Sequence, residues 1–349
     1  MNNNLFNEYK KCKGYYQFQE DIFPVNFTEK ETYNFIKKYF IHAEKESVFD
    51  LDFYNDYEQK GKHSHTVSMF FLGLSLKNII TCYLKDIQYE TFSYIWFLSC
   101  LYHDIAFCQE DICFNTQNQT INLEYYLEKY KIKYNVYNHH WNRINEYKYF
   151  AENLIKNYFK YRLNNQKIDH GIIGGYLLFD RLIKNYKNKY NKKTCGNYDK
   201  FDTNGHHWEI KHQDYYAIAA QNIINHNIWL VDKQEVISKT YKHYGLSDLI
   251  ISKNNNIKIN IKKSPLLFYF GLLDTIEPTK TFLNNYVLNG ISMKYKDDTL
   301  IITFDDTIRE FEEYKSYVKK VYSTKKWLKL KVYPLNMEKV KNMIKIKFL

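Results

Sequence analysis

Apolar residues recur at helical spacing through the middle of the chain. After His65, the residues Met69, Leu72 and Leu76 follow at intervals of three or four, and DHGIIGGYLLF and SPLLFYFGLLDTIEP repeat the pattern. Such spacing is typical of amphipathic helices, whose apolar faces pack against one another. Residues 60–287 are therefore predicted to form a mainly α domain, built as a helical bundle.

The two ends of the chain carry different patterns. Residues 1–59 are mixed and polar, with ETYNFIKKYFIHAEKE as a predicted helix, and are expected to form a helical leader that packs on the bundle. At the other end of the chain, ISMKYKDDTLIITF predicts two strands, and DTIREFEEYKSYVKKVYS predicts an amphipathic helix opened by an Asp cap. KWLKLKVYPL predicts a further strand. Residues 288–349 are thus predicted to be a small α+β accessory domain. It can close a pocket, form a homodimer surface or bind a regulator, and the sequence leaves all three open.

Two polar insertions interrupt the helical domain. The first, about residues 109–145, contains LEYYLEKYKIKYN and is predicted to be a lid. The second, about residues 184–213, is rich in Lys, Asn and Tyr and is predicted to be a loop. Long loops near an active site are often functional.

The composition narrows the class of protein. A chain of 349 residues with 45% hydrophobic residues is typical of a globular enzyme. The net charge of +11 attracts phosphate-bearing ligands, and because the Lys residues are scattered, a phosphorylated small molecule is favoured over nucleic acid as the partner. The six Cys form no C-x-x-C pair and the start MNNNLFNEYKKCKG is polar, which predicts a cytoplasmic protein with reduced thiols. The apolar runs are too short to span a bilayer.

Potential metal ligands stand in the order H…HD…H…H…D. The central His-Asp pair lies in WFLSCLYHDIAFCQE, and each candidate lies on or at the end of an apolar, helix-like segment. An unpaired charge or imidazole is costly in such surroundings, which favours a common pocket for these side chains. The candidate ligands are His65, His103, Asp104, His170, His226 and Asp274.

The ligand types indicate the class of metal. Imidazoles and carboxylates together suit iron, manganese, cobalt, nickel or zinc, whereas magnesium and calcium prefer oxygen ligands. Six ligands are too many for one catalytic metal that keeps a position open, but they suit two divalent metals. Asp104, directly beside His103, is the predicted bridge between them. We assign His65, His103 and Asp274 to one metal and His170 and His226 to the other.

Structural roles compete with this interpretation for each single residue. A His on an apolar face is more often a hydrogen-bonded core residue than a ligand, and 12 His allow chance pairings. His63 can replace His65, although the apolar stripe that follows favours His65. The remaining His clusters are interpreted as surface at His139-His140, and mainly as a solvated loop, or else a pocket mouth, at His206, His207 and His212.

The ligand-bearing segments resemble the HD-domain superfamily of metal-dependent phosphohydrolases, in the branch with a six-ligand dinuclear centre. The resemblance covers about residues 60–285 and rests on HSHTVSM, LYHDIAF, DHGIIGGYLL, INHN and LLDTIEPTK. These motifs are similar to H-T-x-x-V, H-D-I-A, H-x-x-x-G-A-Y-L and D-x-I-E-P of small bacterial dinucleoside-tetraphosphate hydrolases. That family usually carries an Arg two positions after I-E-P, where this chain has Thr279 and Lys280. The resemblance implies an HD-type helical bundle, two divalent metals and a nucleotide substrate.

The expected reaction is hydrolysis of a phosphoester or phosphoanhydride by a hydroxide held between two metals. Asp104 is expected to bridge the metals, and Lys62, Arg181 and Lys280, the basic residues nearest to the ligands in sequence, are the candidates to stabilise phosphoryl oxygens, with Lys280 preferred. Asp169 is expected to orient an imidazole or to accept a proton from the attacking water, and Glu277 to support a ligand similarly. Two alternatives stay open on the same ligands: a di-iron oxygenase, as found in part of the superfamily, and a nucleotide sensor that binds without turnover.

Overall fold

A computed structural model of the protein shows a mainly α chain, as the sequence predicts, with antiparallel sheets in its second half. The structure describes residues 4–12, 29–42, 44–45, 48, 63–84, 89–107, 110, 122–139, 151–228, 235–247, 258–282, 285–310, 312–333 and 343–349.

The α-helices and strands of these residues are numbered here in chain order. The helices are α1 (Leu5–Lys11), α2 (Glu29–His42), α3 (His63–Ser75), α4 (Asn78–Thr81), α5 (Tyr89–Tyr102), α6 (Leu123–Lys129), α7 (Glu152–Asn164), α8 (His170–Asn191), α9 (Lys211–Asn225), α10 (Glu235–His243), α11 (Pro265–Ile276), α12 (Asn285–Asn289) and α13 (Glu312–Ser323). The strands are β1 (Cys195–Gly196), β2 (Lys200–Thr203), β3 (His206–Glu209), β4 (Ile291–Lys296), β5 (Thr299–Phe304), β6 (Leu330–Tyr333) and β7 (Met343–Phe348).

The chain divides into two compact units, each assembled from separate segments. The first unit comprises Met1–Phe35, His63–Tyr89 and Ile251–Leu349, and the second comprises Ile36–Lys62 and Glu90–Ile250. The three-part division into residues 1–59, 60–287 and 288–349 remains a prediction. None of the helices in the described ranges has the length and apolar character that a bilayer crossing needs.

Helices α3 and α11 form the centre of the first unit. Pro265 stands in the first turn of α11, where a missing N–H costs nothing, and the residues from there to Leu273 are buried. The Tyr269 hydroxyl donates a hydrogen bond of 2.6 Å to the carbonyl of Gly73, which ties α11 to α3. The Tyr317 hydroxyl donates to the carbonyl of Ile276, so α13 is fastened to the C-terminal end of α11.

The C-terminal sheet of the first unit has the strand order β4-β5-β7-β6, all antiparallel. The predicted strands β4, β5 and β6 and the helix are present. Strand β7, in which Ile344, Ile346 and Phe348 are buried in alternation, was not predicted. The predicted Asp cap is also wrong in detail, because Asp306–Glu310 is a 3₁₀ turn that precedes α13.

Helices α8 and α9 pack closely in the second unit because glycines line their contact. A Cβ atom on Gly175 would lie 2.6 Å from the carbonyl oxygen of Ala220 on α9, a distance that packed atoms do not reach. A Cβ atom on Gly174 would lie 2.7 Å from the carbonyl oxygen of Tyr102. The G-G pair of DHGIIGGYLL therefore brings the first turns of α8 against both α9 and the end of α5.

The second insertion is not the predicted loop. Its first part continues α8 as far as Asn191, and the rest forms the antiparallel sheet β1-β2-β3. Phe201 on β2 and Trp208 on β3 are buried, with parallel rings 6.1 Å apart, and this apolar pair outweighs the polar composition of the segment. In the first insertion, α6 packs on α7 and α8. Residues 111–121 and 140–150 lie outside the described residues, so the lid remains a prediction.

Candidate metal centre

The His-Asp pair of the second unit lies directly after α5. His103 is fully buried and Asp104 is 3% exposed. The Nδ1 atom of His103 lies 2.6 Å from the carbonyl oxygen of Cys100. A carbonyl can only accept, so Nδ1 carries the proton and donates it, and in the neutral ring Nε2 has the lone pair that a metal requires.

His226 lies at the C-terminal end of α9, and a backbone carbonyl orients its ring as it does for His103. Its Nδ1–H donates a hydrogen bond of 2.6 Å to the carbonyl oxygen of Ile223. The ring packs closely on the first turn of α8, where a Cβ atom on Gly171 would approach it to 2.6 Å. The glycine in D-H-G is therefore required for the position of this imidazole.

His170 is the first residue of α8, and Asp169 is its N-cap. The Oδ1 atom of Asp169 accepts the backbone N–H of Ile172 at 3.0 Å, which fixes the turn from which His170 projects. Burial raises the pKa of Asp169, against the opposing effect of the nearby His170 and Arg162. Asp169, predicted to be catalytic, is thus placed where it positions an imidazole through the helix start.

Asp104 lies between two imidazoles. Its Oδ1 is 3.3 Å from Nε2 of His170, and its Oδ2 is 3.4 Å from Nε2 of His103. One ligand atom each from Asp104, His170 and His226 lies within 4.8 Å of the other two, so this buried group could hold a metal ion. The two oxygens of one carboxylate therefore face two different potential ligands.

Glu110 is a further residue of the site, not among the predicted ligands. Its Oε2 lies 3.3 Å from Nδ1 of His170, and its Oε1 accepts a hydrogen bond from Arg162. Burial alone would lower the pKa of His170, but the carboxylates of Asp104 and Glu110 outweigh it and raise the pKa to about 9. Glu110 stands at the start of a polar segment, without a periodic pattern that could have indicated its contact.

The first unit brings together another set of the predicted residues. His65, on α3, is 4% exposed, and its Nε2 lies 3.2 Å from Oδ1 of Asp274 on α11. Lys280, on the 3₁₀ turn after α11, donates a hydrogen bond to the same carboxylate oxygen. Burial and the charge of Lys280 lower the pKa of His65, but Asp274 and Glu277 reverse this and raise it.

Glu277 fixes the orientation of His65. This carboxylate is fully buried, 2.7 Å from Nδ1 of His65, and accepts hydrogen bonds from the Ser68 hydroxyl and from the backbone N–H groups of Thr279 and Lys280. Burial would raise its pKa, but the hydrogen bonds and the charge of His65 lower it. The ionised Glu277 accepts a hydrogen bond from Nδ1–H of His65, so the Nε2 side of the ring faces Asp274.

The structure thus assembles His103, Asp104, His170 and His226 within the second unit, and His65, Asp274 and Lys280 within the first. That all six predicted ligands serve one dinuclear centre remains the prediction of the sequence. The side chain of His63 lies outside the described residues. His139, interpreted as surface, is instead mostly buried, with 16% of its side chain exposed, and lies 2.9 Å from Asp214.

Each set fits a divalent transition metal by the chemistry of its donors. Imidazole nitrogen and carboxylate oxygen are paired in both, and backbone carbonyls or a buried carboxylate orient the rings. These contacts support metal binding. No protein-family model, curated protein or solved structure matches the chain.

Proposed function

We propose that this protein is an HD-type, metal-dependent phosphohydrolase that cleaves a phosphoester or phosphoanhydride, with a nucleotide as substrate. The observation that supports this most directly is the position of Asp104. It is buried, and each of its oxygens lies close to Nε2 of a different histidine. A carboxylate in this position is suited to bridge two metal ions, which is the role that the sequence pattern assigns to it.

His65, His103 and His226 would hold the metal ions through Nε2, since their Nδ1–H groups donate to Glu277, Cys100 and Ile223. His103 and His226 are set by backbone carbonyls, so their orientation does not depend on the ion. For His170, the charged carboxylate of Glu110 lies 3.3 Å from Nδ1, on the side of the ring opposite Nε2. When bound, two divalent metal ions supply a hydroxide near neutral pH and neutralise charge on the phosphoryl oxygens.

Charged groups at the edge of the ligand sets would handle the substrate. Lys280 is partly exposed, with 27% of its side chain accessible, and already contacts the ligand candidate Asp274. A lysine so placed can exchange that carboxylate for a phosphoryl oxygen. The net charge of +11 adds a long-range attraction for anionic nucleotides.

Product release across a panel of nucleotides tests the proposal. The purified protein is incubated with manganese, iron, cobalt or nickel and with dinucleoside polyphosphates, cyclic nucleotides, or nucleoside mono-, di- and triphosphates. We expect turnover in at least one class, and its loss in Asp104→Ala together with part of the bound metal. Asp214→Ala is the control, because Asp214 pairs with His139 and should leave both intact.

Two results would contradict the proposal. Undiminished turnover in Asp104→Ala would remove the bridging carboxylate from the reaction. If the metal-loaded protein released no product from any nucleotide of the panel, a hydrolase would be excluded. Oxygen uptake by the iron form would then favour the di-iron oxygenase.

A further inference from the structure

A cavity in the second unit is built from residues outside the predicted ligand set. Its volume is about 200 Å³. It is bounded by the segment after α2, by α5, by β3 and by the start of α9. The residues that line it are Lys45, Tyr94, His206, His207, Trp208 and His212.

Lys45 is the central charge of this cavity, which we call the Lys45 pocket. The side chain is buried, with 8% of the residue exposed, and its Nζ donates a hydrogen bond of 2.6 Å to the Tyr94 hydroxyl. The ammonium lies over the rings of Tyr94, Trp208 and Tyr216, at 4.6, 5.5 and 6.0 Å from their centroids. Among the described residues, no carboxylate lies within ion-pair distance of it. A buried cation held only by a hydroxyl and ring faces has two N–H groups left to donate.

Two further donors belong to the Lys45 pocket. The Nε1–H of Trp208 is buried and has no hydrogen-bond acceptor among the described residues. Nδ1 of His212 accepts the backbone N–H of Glu209 at 3.1 Å, so the ring proton sits on Nε2. Burial and the charge of Lys45 lower the pKa of His212 to about 4, which keeps this ring neutral.

The acidic residues near the rim are engaged elsewhere. Glu209 lies 2.5 Å from Nζ of Lys211 and 3.1 Å from Nε2 of His207. Glu44 accepts a hydrogen bond of 2.7 Å from Lys189. Both described carboxylates near the rim, Glu44 and Glu209, thus have other partners, and the described interior presents donors rather than acceptors.

We propose that the Lys45 pocket binds a small oxyanion, a carboxylate or a tetrahedral anion such as sulfate or phosphate, through Lys45 and the Nε1–H of Trp208. An anion supplies both the missing acceptors and the missing negative charge, whereas buried donors without acceptors are costly. The aromatic rings beside Lys45 lower the local polarity, which strengthens an ion pair there. This binding site does not depend on the metal centre or on hydrolysis.

Binding in this pocket is coupled to proton uptake. Burial lowers the pKa of Lys45 to about 7, so the amine is only partly protonated at neutral pH. A bound anion favours the ammonium form, so binding draws a proton from solution and the affinity falls as the pH rises above about 7. Among the described residues, the titratable groups around Lys45 are Tyr94 on α5, His206, His207 and Glu209 on β3, His212 and Tyr216 on α9, and Glu44 next to it in sequence.

Calorimetric titration with sulfate and with benzoate tests the inference, because neither probe changes its own charge between pH 6 and pH 9. We expect saturable binding of at least one probe in the full chain, tighter at pH 6 than at pH 9. Its heat should depend on the ionisation enthalpy of the buffer, as proton uptake requires. Sulfate alone would indicate a phosphate-like ligand, and benzoate alone a carboxylate on an aromatic group.

Three variants localise the binding. Lys45→Met should weaken it by at least about tenfold and abolish the buffer dependence, as the loss of a charged hydrogen-bond donor predicts. Trp208→Phe keeps the ring, removes Nε1–H and should cause a smaller loss. Lys193→Met, at an exposed lysine 4.1 Å above the ring of Tyr190, is the matched control and should bind like the native protein. Asp104→Ala should also retain binding, which separates this pocket from the metal centre.

The inference is overturned if neither probe binds saturably at millimolar concentrations. It is equally overturned if Lys45→Met and Trp208→Phe, shown to be folded by circular dichroism, bind both probes as tightly as Lys193→Met.

Discussion

The second unit contains two clusters of histidines whose hydrogen bonding is opposite. In the candidate metal centre, Nδ1 of His226 lies against the carbonyl of Ile223, so the ring proton is on Nδ1. In the Lys45 pocket, Nδ1 of His212 lies against the backbone N–H of Glu209, so its proton is on Nε2. One ring is an acceptor at Nε2 and the other a donor there. The backbone partner of a histidine, rather than its residue type, decides which charge of ligand it can serve.

The charges around the two clusters follow the same division. Asp104 and Glu110 surround His170 with carboxylates and favour a cation. Lys45 meets a hydroxyl and aromatic rings and favours an anion. The chain therefore keeps a cation site and an anion site in one mainly helical unit by distributing acidic side chains unequally.

The two clusters should differ most in their effect on the stability of the folded protein at low pH. The pKa of Lys45 is lowered to about 7 in the folded state, below its value in the unfolded chain. Between these two values the unfolded state binds more protons, so the stability of the native protein rises with pH. The penalty from burying the charge is complete below about pH 7 and shrinks by about 2–3 kcal/mol between pH 6 and pH 9. Lys45→Met removes it.

Thermal and urea unfolding at both pH values measure this difference. Lys45→Met should gain stability relative to the native chain at pH 6, and most of that gain should disappear at pH 9. Lys193→Met should show no such trend. An equal effect of Lys45→Met at the two pH values would show that the ammonium is neutralised in the fold.

The Glu110→Gln variant tests whether the carboxylate beside His170 supports metal binding in the candidate metal centre. Loss of the charge behind His170 should weaken metal binding by roughly 10- to 100-fold, as is usual for groups that orient a ligand. Metal content after dialysis against a chelator series measures the change. Glu124→Gln is the control, because Glu124 is exposed and pairs with Lys156. Equal metal retention in both variants would show that Glu110 pairs with Arg162 without supporting metal binding.

The smallest expected effect comes from two glycines of α8. Gly171→Ala and Gly175→Ala both crowd the contact with α9, and each should cost about 1–2 kcal/mol in the free energy of unfolding. Only the new methyl group of Gly171→Ala would meet the ring of His226, at 2.6 Å. We therefore expect reduced metal affinity in Gly171→Ala alone, measured as above. Equal losses of metal in both would mean that packing of the helices, not contact with the ring, is the cause.

The local patterns in the sequence predicted the elements better than their partners. Helical periodicity located α3, α8 and α11, and strand alternation located β4, β5 and β6, because both depend on neighbouring residues alone. The same alternation is present in β7, whose short run near the chain end was overlooked. The loop prediction for residues 184–213 is wrong, because the Lys and Asn content concealed the stacked pair Phe201 and Trp208.

Contacts between distant residues lay beyond the sequence. Glu110 lies in a polar stretch and carries no periodic signal, and only the fold brings it 3.3 Å from His170. Lys45 is one of many lysines, and its burial depends on Tyr94 and Trp208, which are far from it in sequence. No composition or spacing distinguishes such a lysine from a solvated one.

The sequence by itself determined which residue types could bind a metal and that helices would carry them, since both follow from the order of side chains along the chain. The tertiary structure decided which nitrogen of each imidazole faces its ligand and whether a charge has a counterion. Those properties depend on which backbone carbonyl, amide or carboxylate lies within about 3 Å, the range over which hydrogen bonds act. Distances of that kind are fixed only when separate segments pack together.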